Sequence, residues 1–166
     1  MAYLIISDLH IPDRAKSIPK KILQEARLAE GIIYAGDFTE KSILEELLEA
    51  NSNLVAVRGN CDRLDLPEFI SFEKYGKNVG VTHSHHFGRG NIKALEEIAK
   101  SRGLDVLIFG HTHWPFAEKF GEKLILNPGS ANGVVPGAGM SPGKTYALLE
   151  LSPTPKAIIK IIKKIE

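Results

Sequence analysis

The chain has 166 residues, with 21 Lys and Arg against 20 Asp and Glu, for a formal charge of +1. That length holds one domain with a sizeable core, and the near-balance of charge excludes a broad electrostatic footprint for nucleic acid or a membrane surface, leaving room only for a local patch. No apolar run approaches the roughly 20 residues of a membrane span. The start, MAYLIISDLH, lacks a basic leader and does not read as a signal peptide. One cysteine, Cys61, allows no internal disulfide and suits a reducing compartment, so a single cytoplasmic domain over 1–166 is expected.

In chain order, YLIIS (3–7) reads as a buried strand. Residues 17–30 follow as an amphipathic helix, with Ser17 as its cap and Ile22, Leu23, Ala26 and either Leu28 or Ala29 facing inward. IIYA (32–35) is the second strand, and Ile43, Leu44, Leu47 and Leu48 recur at helical spacing within a helix over 40–50. LVAV (54–57) is the third strand, and 68–73 and 77–82 read as two more, joined through Gly76. A helix over 91–102 precedes the strand VLIF (106–109). FAEKF and KLIL, joined by GE, form a hairpin. TYALLEL (145–151) is a further strand, and the isoleucine-rich ending KAIIKIIKKI is read as strand rather than helix. The β-α-β-α-β order of the first half implies parallel strands with right-handed crossovers. An α/β fold of two packed mixed sheets with helices outside is expected; an open single sheet is the rival.

Potential metal ligands gather where these strands end. Asp8 and His10 follow the first strand, Asp37 the second and Asn60 the third; His83, with His85 and His86, follows VGVT, and His111 and His113 follow VLIF. In a parallel α/β sheet such C-terminal strand ends share one edge, where ligand sites form. Imidazole, carboxylate and amide donors without thiolates favour Mn, Fe, Zn, Ni or Co in a reactive site over a structural zinc. Asp8, His10, Asp37, Asn60, His83, His111 and His113 exceed one ion's usual protein share and suit two divalent ions with one carboxylate bridging. Two dications against two carboxylates leave about +2, which matches an anionic phosphate better than a peptide or sugar. Gly36, Gly59 and Gly110 flank these ligands, where the chain turns sharply and a positive φ is expected. Taken singly, Asp8 and Asp37 read equally well as helix caps and Asn60 as a turn residue.

D-x-H at Asp8–His10, G-D at Gly36–Asp37, G-N-x-D at Gly59–Asp62, the lone His83 and G-H-x-H at Gly110–His113 occur in an order that resembles the calcineurin-like metallophosphoesterases, over nearly the whole chain. GNCD and LNPGS (126–130) look most like the small bacterial and archaeal phosphodiesterase branch; the retromer scaffold subunit of the same fold is also similar. The resemblance implies a four-layer α/β/β/α sandwich. It puts Asp8, His10, Asp37 and His113 on one ion and Asp37, Asn60, His83 and His111 on the other, with Asp37 as the bridge, Asp37 and Asn60 serving catalysis as well, and manganese first among the metals. The implied reaction is in-line attack on a small phosphodiester by hydroxide held between the ions. A phosphomonoesterase is the near alternative. A catalytically silent protein-binding scaffold is the distant one, disfavoured because every ligand position carries a competent donor. Nucleic acid is a less favoured substrate, and self-association is left open.

Two departures bear on proton transfer. Larger members carry histidine where this chain has Cys61, and a thiol is a poor general acid, so His85 or His86 is the candidate donor, with His85 preferred. Ser84 stands where the branch often has glycine. Asp62 reads as structural, orienting a histidine, and Cys61 has no dedicated thiolate stabiliser beyond the metals. NPGSANG (127–133) is read as a tight turn closing the site rather than a phosphate cradle, and the glycine-rich stretch 132–144 as a loop able to cover it. Lys156, Lys160, Lys163 and Lys164 read as a solvated strand face, and Trp114 as either core or a platform for a base or sugar.

Overall fold

In a computed structural model that describes residues 1–137 and 139–163, the alternating apolar segments assemble into two sheets. β1 (Tyr3–Ile6), β2 (Ile32–Tyr34) and β3 (Leu54–Ala56) run parallel, linked by α1 (Lys20–Leu28) and α2 (Lys41–Ala50). β4 (Phe69–Lys74) and β5 (Lys77–Thr82) form a hairpin closed by Tyr75 and Gly76, both at positive φ, as a primed turn requires. α3 (Ile92–Ser101) crosses over to β6 (Val106–Phe109), and β7 (Phe116–Phe120) pairs antiparallel with β8 (Lys123–Asn127) around Gly121. β9 (Thr145–Glu150) and β10 (Lys156–Ile161) return to the first sheet. The strand orders are β10-β9-β1-β2-β3 and β4-β5-β6-β8-β7, each mixing parallel and antiparallel pairs.

The period of two in a strand divides the apolar residues among three cores. Tyr3 and Ile5, Ile33, Val79 and Val81, Val106 and Ile108, Leu124 and Leu126, and Ala147 and Leu149 meet between the sheets. Their neighbours Leu4, Ile6, Ile32 and Tyr34 face Ile22, Ala26, Ile43 and Leu47 of α1 and α2. Leu107, Phe109 and Ile125 face Leu95 and Ala99 of α3. The result is the α/β/β/α layering, and it explains why the central strands read as unbroken apolar runs: both faces are buried. The open-sheet rival fails because Val79, Val81, Val106 and Ile108 are needed to cover the inner face of the first sheet.

One local expectation is corrected and one alternative is resolved. Ser17 does not cap α1; the cap is Pro19, at φ −57° and ψ 134°, with no side-chain bond. Proline disfavours helical geometry in the residue before it, so the helix cannot extend back to Ser17. At its far end Leu28 points to solvent while Ala29 packs on the core, which settles the paired alternative. The ending is a strand, as read, up to Ile161, with Lys156 and Lys160 exposed; Lys164 and the rest of the tail lie outside the described residues.

Candidate metal centre and active site

The strand exits of β1, β2, β3, β5 and β6 converge on one edge shared by the two sheets. The loops after β1 and β2 are zipped together, Asp8 N–H donating to Gly36 O at 3.0 Å and His10 N–H to Asp37 O at 3.0 Å. Asp8 (φ 54°), His10 (49°), Asp37 (63°), His111 (70°) and His113 (62°) all sit in the left-handed region. Few non-glycine residues adopt it, and such strain persists where the surroundings over-determine it, typically at functional sites. The glycines divide differently from the expectation. Gly36 has φ 95°, but Gly59 and Gly110 are not at positive φ and are needed for close approach. A Cβ on Gly59 would collide with Asp37 Oδ1 and lie 2.5 Å from Asp37 N, and one on Gly110 would collide with Ser7 Oγ and lie 2.7 Å from Ala35 O.

The side chains aim at two adjoining points. Around the first, His10 Nε2 lies 3.2 Å from His113 Nε2, 3.4 Å from Asp37 Oδ2 and 3.7 Å from Asp8 Oδ1, while His113 Nε2 is 3.3 Å from Asp8 Oδ1. Around the second, His83 Nε2 lies 3.1 Å from Asp37 Oδ2, 3.1 Å from Asn60 Oδ1 and 3.9 Å from Asp8 Oδ1. A divalent ion at about 2.0–2.2 Å from N and O donors spaces its ligands roughly 3–3.5 Å apart, so the separations of 3.1 to 3.4 Å fit the edges of coordination polyhedra, while Asp8 Oδ1 stands wider of His10 and His83. Two details strengthen the fit. Asp8 Oδ1 is buried without a hydrogen-bond partner, a costly arrangement unless a cation completes it. The Nδ1 atoms of His83 and His113 each donate to a carbonyl, Ala35 O and Val134 O, both at 2.7 Å, which turns their Nε2 atoms inward.

Buried carboxylates and imidazoles face one another closely here, and each shifts the other's ionisation. Burial alone would raise the Asp8 carboxyl, yet the facing His10, His113 and His83 imidazoles overcome it and hold the group well below the ordinary carboxylate range. Asp37 is lowered likewise, His83 outweighing burial. Burial would lower His83, but Asp37 and Asp8 push it up to about 9. Burial, His83 and Arg89 bring His111 down to about 4, so its imidazole is neutral and available as a donor at neutral pH.

A model of the "Calcineurin-like phosphoesterase superfamily domain" matches residues 1–154. The chain belongs to this superfamily. It is similar to a probable metallophosphoesterase of Methanothermobacter thermautotrophicus, 41% identical over 129 residues that make up 76% of this chain and 74% of that protein. It is also similar to a phosphodiesterase of Methanocaldococcus jannaschii, 33% identical over 150 residues, 80% of this chain and 86% of that protein. Among solved structures, wild-type Vps29 of Entamoeba histolytica complexed with zinc matches 96% of this chain and 98% of its own, with 26% identity and a TM-score of 0.82.

Within this calcineurin-like frame, the structure brings Asp8, His10, Asp37, His113, His83 and Asn60 together as the sequence suggested. His111 is only partly buried, its ring centroid 5.2 Å from that of His83. His85 flanks the same side, its ring 5.6 Å from His83 and 6.3 Å from His111, with Nδ1 buried and unpartnered. His86 is turned outward, Nε2 lying 2.9 Å from Glu68 Oε2, and Glu68 also pairs with Arg58. Cys61 Sγ lies within 4.8 Å of ligand atoms of His10 and Asp37, but burial and the Asp37 carboxylate push its thiol up to about 11, which removes any thiolate at neutral pH.

Asp62 is structural, though it orients backbone rather than a histidine. Its Oδ2 accepts from Asp37 N at 2.8 Å and Gly59 N at 2.7 Å, and its Oδ1 from Thr39 N at 2.8 Å. The segment after β8 buttresses the site from below. Asn127 Nδ2 donates to Gly110 O and Thr112 Oγ1, and Ser130 Oγ donates to Asp8 O at 2.8 Å while accepting from Val134 N at 2.9 Å. Ser7 Oγ donates to Asp8 Oδ2 at 2.6 Å. The sequence marks Asp62 as structural and 127–133 as a turn closing the site, but not the individual bonds, because most join residues far apart in the chain.

Proposed function

We propose that the chain hydrolyses phosphodiesters with two divalent ions, manganese first among them, held as a pair bridged by Asp37. The convergence of three imidazole Nε2 atoms and two buried carboxylates, one oxygen of them unpartnered, carries this reading. Asp8, His10, Asp37 and His113 would hold one ion, and Asp37, Asn60, His83 and His111 the other. When bound, the ions supply a water nucleophile ionised near neutral pH and neutralise charge on the phosphoryl oxygens. The chain's own contribution is rigidity: the Ala35 and Val134 carbonyls fix two rings, and Asp62 fixes the backbone that carries Asp37. The monoesterase and scaffold readings stand as outcomes of the test. Metal-stripped protein given Mn²⁺, Ni²⁺, Co²⁺, Zn²⁺ or Mg²⁺ singly is expected to regain hydrolysis of bis-p-nitrophenyl phosphate in preference to p-nitrophenyl phosphate. A reversed preference would make it a monoesterase, and silence with every metal would favour the scaffold.

His85 is the proton donor to the leaving oxygen in this scheme. General acid catalysis contributes about 10²–10⁴-fold where the leaving group is a poor one. His85→Ala is therefore expected to slow an alkyl diester about 100-fold while slowing a p-nitrophenyl diester only a few-fold. Equal losses on both substrates, read as kcat, would remove His85 from protonation of the leaving oxygen, and a loss confined to KM would assign it to substrate binding.

A further inference from the structure

Beside the candidate centre opens a cleft of about 490 Å³, walled by Arg89, Gly90, Thr112, Trp114, Pro136 and Met140. Thr112 sits between the candidate ligands His111 and His113, and Arg89 bonds the His111 carbonyl, so the segment that carries both ligands also walls the cleft. The wall made by Arg89, Thr112 and Trp114 is held by hydrogen bonds. Arg89 Nη2 donates to His111 O at 3.2 Å, Trp114 N–H donates to Thr112 Oγ1 at 3.2 Å, and Asn127 Nδ2 donates to that same hydroxyl at 2.9 Å. Trp114 is nonetheless 49% exposed and Met140 81% exposed, so apolar surface is held open to water at the mouth of a polar site. Among the described residues, Arg89 has a carbonyl as its hydrogen-bond partner and no carboxylate in an ion pair, which leaves its charge available to a ligand.

We infer that this cleft is a substrate subsite for a nucleobase: one ester arm of the phosphodiester is a nucleoside, whose base stacks on Trp114 and meets Arg89. The inference rests on the phosphodiesterase reading above. An indole face recognises a planar ring, and stacking on it is worth about 1–3 kcal/mol whatever the base. Arg89 supplies a planar donor fork for ring acceptors such as a purine N7 or O6. Gly90 adds no side chain to the lining, and the volume falls within the range of small-ligand pockets. A nucleotide bound this way has its base on Trp114 and its phosphate toward the His and Asp cluster.

Trp114 is the sole tryptophan, so its fluorescence reports the cleft directly. Titration of the protein with AMP is expected to give saturable quenching, which ribose 5-phosphate does not reproduce and which Arg89→Ala shifts to at least fivefold higher AMP. With metal restored, Trp114→Ala is expected to raise KM for thymidine 5′-(p-nitrophenyl phosphate) about tenfold more than KM for methyl p-nitrophenyl phosphate. Equal quenching by AMP and ribose 5-phosphate, or equal KM changes for the two diesters, would overturn the subsite. AMP quenching in a protein that hydrolyses no diester would support the subsite while removing the enzymatic reading.

Discussion

Asp37→Asn is expected to lower phosphodiester turnover by about 10³-fold or more and to weaken metal binding, with the fold intact. Among the described residues, Asp37 lies in hydrogen-bonding or ion-pairing range of both candidate ligand groups, with Oδ2 at 3.4 Å from His10 Nε2 and 3.1 Å from His83 Nε2. Its other oxygen accepts from Cys61 N–H at 2.8 Å. Asparagine is isosteric and keeps a carbonyl oxygen for that backbone bond, so the loop need not move. It loses the negative charge that a bridge between two dications requires, and several kcal/mol of stabilisation at the reacting phosphate go with it. Steady-state kinetics at saturating metal, beside circular dichroism, check this. Turnover within tenfold of wild type would remove Asp37 from the bridging position.

The second large effect is structural. Asp62→Ala is expected to destabilise the chain by about 3–5 kcal/mol and to abolish turnover. Three backbone N–H groups, of Asp37, Thr39 and Gly59, end on this one carboxylate, and all three residues are buried. Each orphaned buried donor costs about 1–3 kcal/mol, and bonds to a charged acceptor are the stronger kind. The same bonds hold Asp37 at its positive φ, so the candidate bridging ligand is released along with the stability. Against a total of about 5–15 kcal/mol for an ordinary domain, such a loss is visible in any melt. Asp62→Asn, which retains one acceptor oxygen, is expected to fall between. An Asp62→Ala melting temperature within about 2 °C of wild type would show that water replaces the carboxylate at little cost.

The sequence disclosed what is local or periodic. The runs YLII, VLIF and LIL mark doubly buried strands, and the ligands could be found because each follows such a run within a few residues. Left-handed backbone at Asp8, His10, Asp37, His111 and His113 carries only a weak signal: Asp and His adopt it more often than other side chains, but tertiary bonds decide at which of them it occurs. For the same reason the positive φ expected at Gly59 and Gly110 does not occur, and these glycines are required by the near contact of two loops instead. Which strands pair is a question of inner faces meeting, so the two-sheet fold could be separated from the open sheet only when Val79, Val81, Val106 and Ile108 were seen against Ile5 and Ile33. The turn at 127–133 is legible, but the bonds of Asn127 and Ser130 are not, since their partners Gly110 and Asp8 lie 17 and 122 residues away.

The paired-ion site is tested most directly by adding Mn²⁺ stepwise to metal-stripped protein and following bis-p-nitrophenyl phosphate hydrolysis and bound metal together. Activity that rises to a plateau at two ions per chain, and that Asp37→Asn does not reach at any ratio, is the expected result. A plateau at one ion per chain, or two ions bound without hydrolysis, would contradict it.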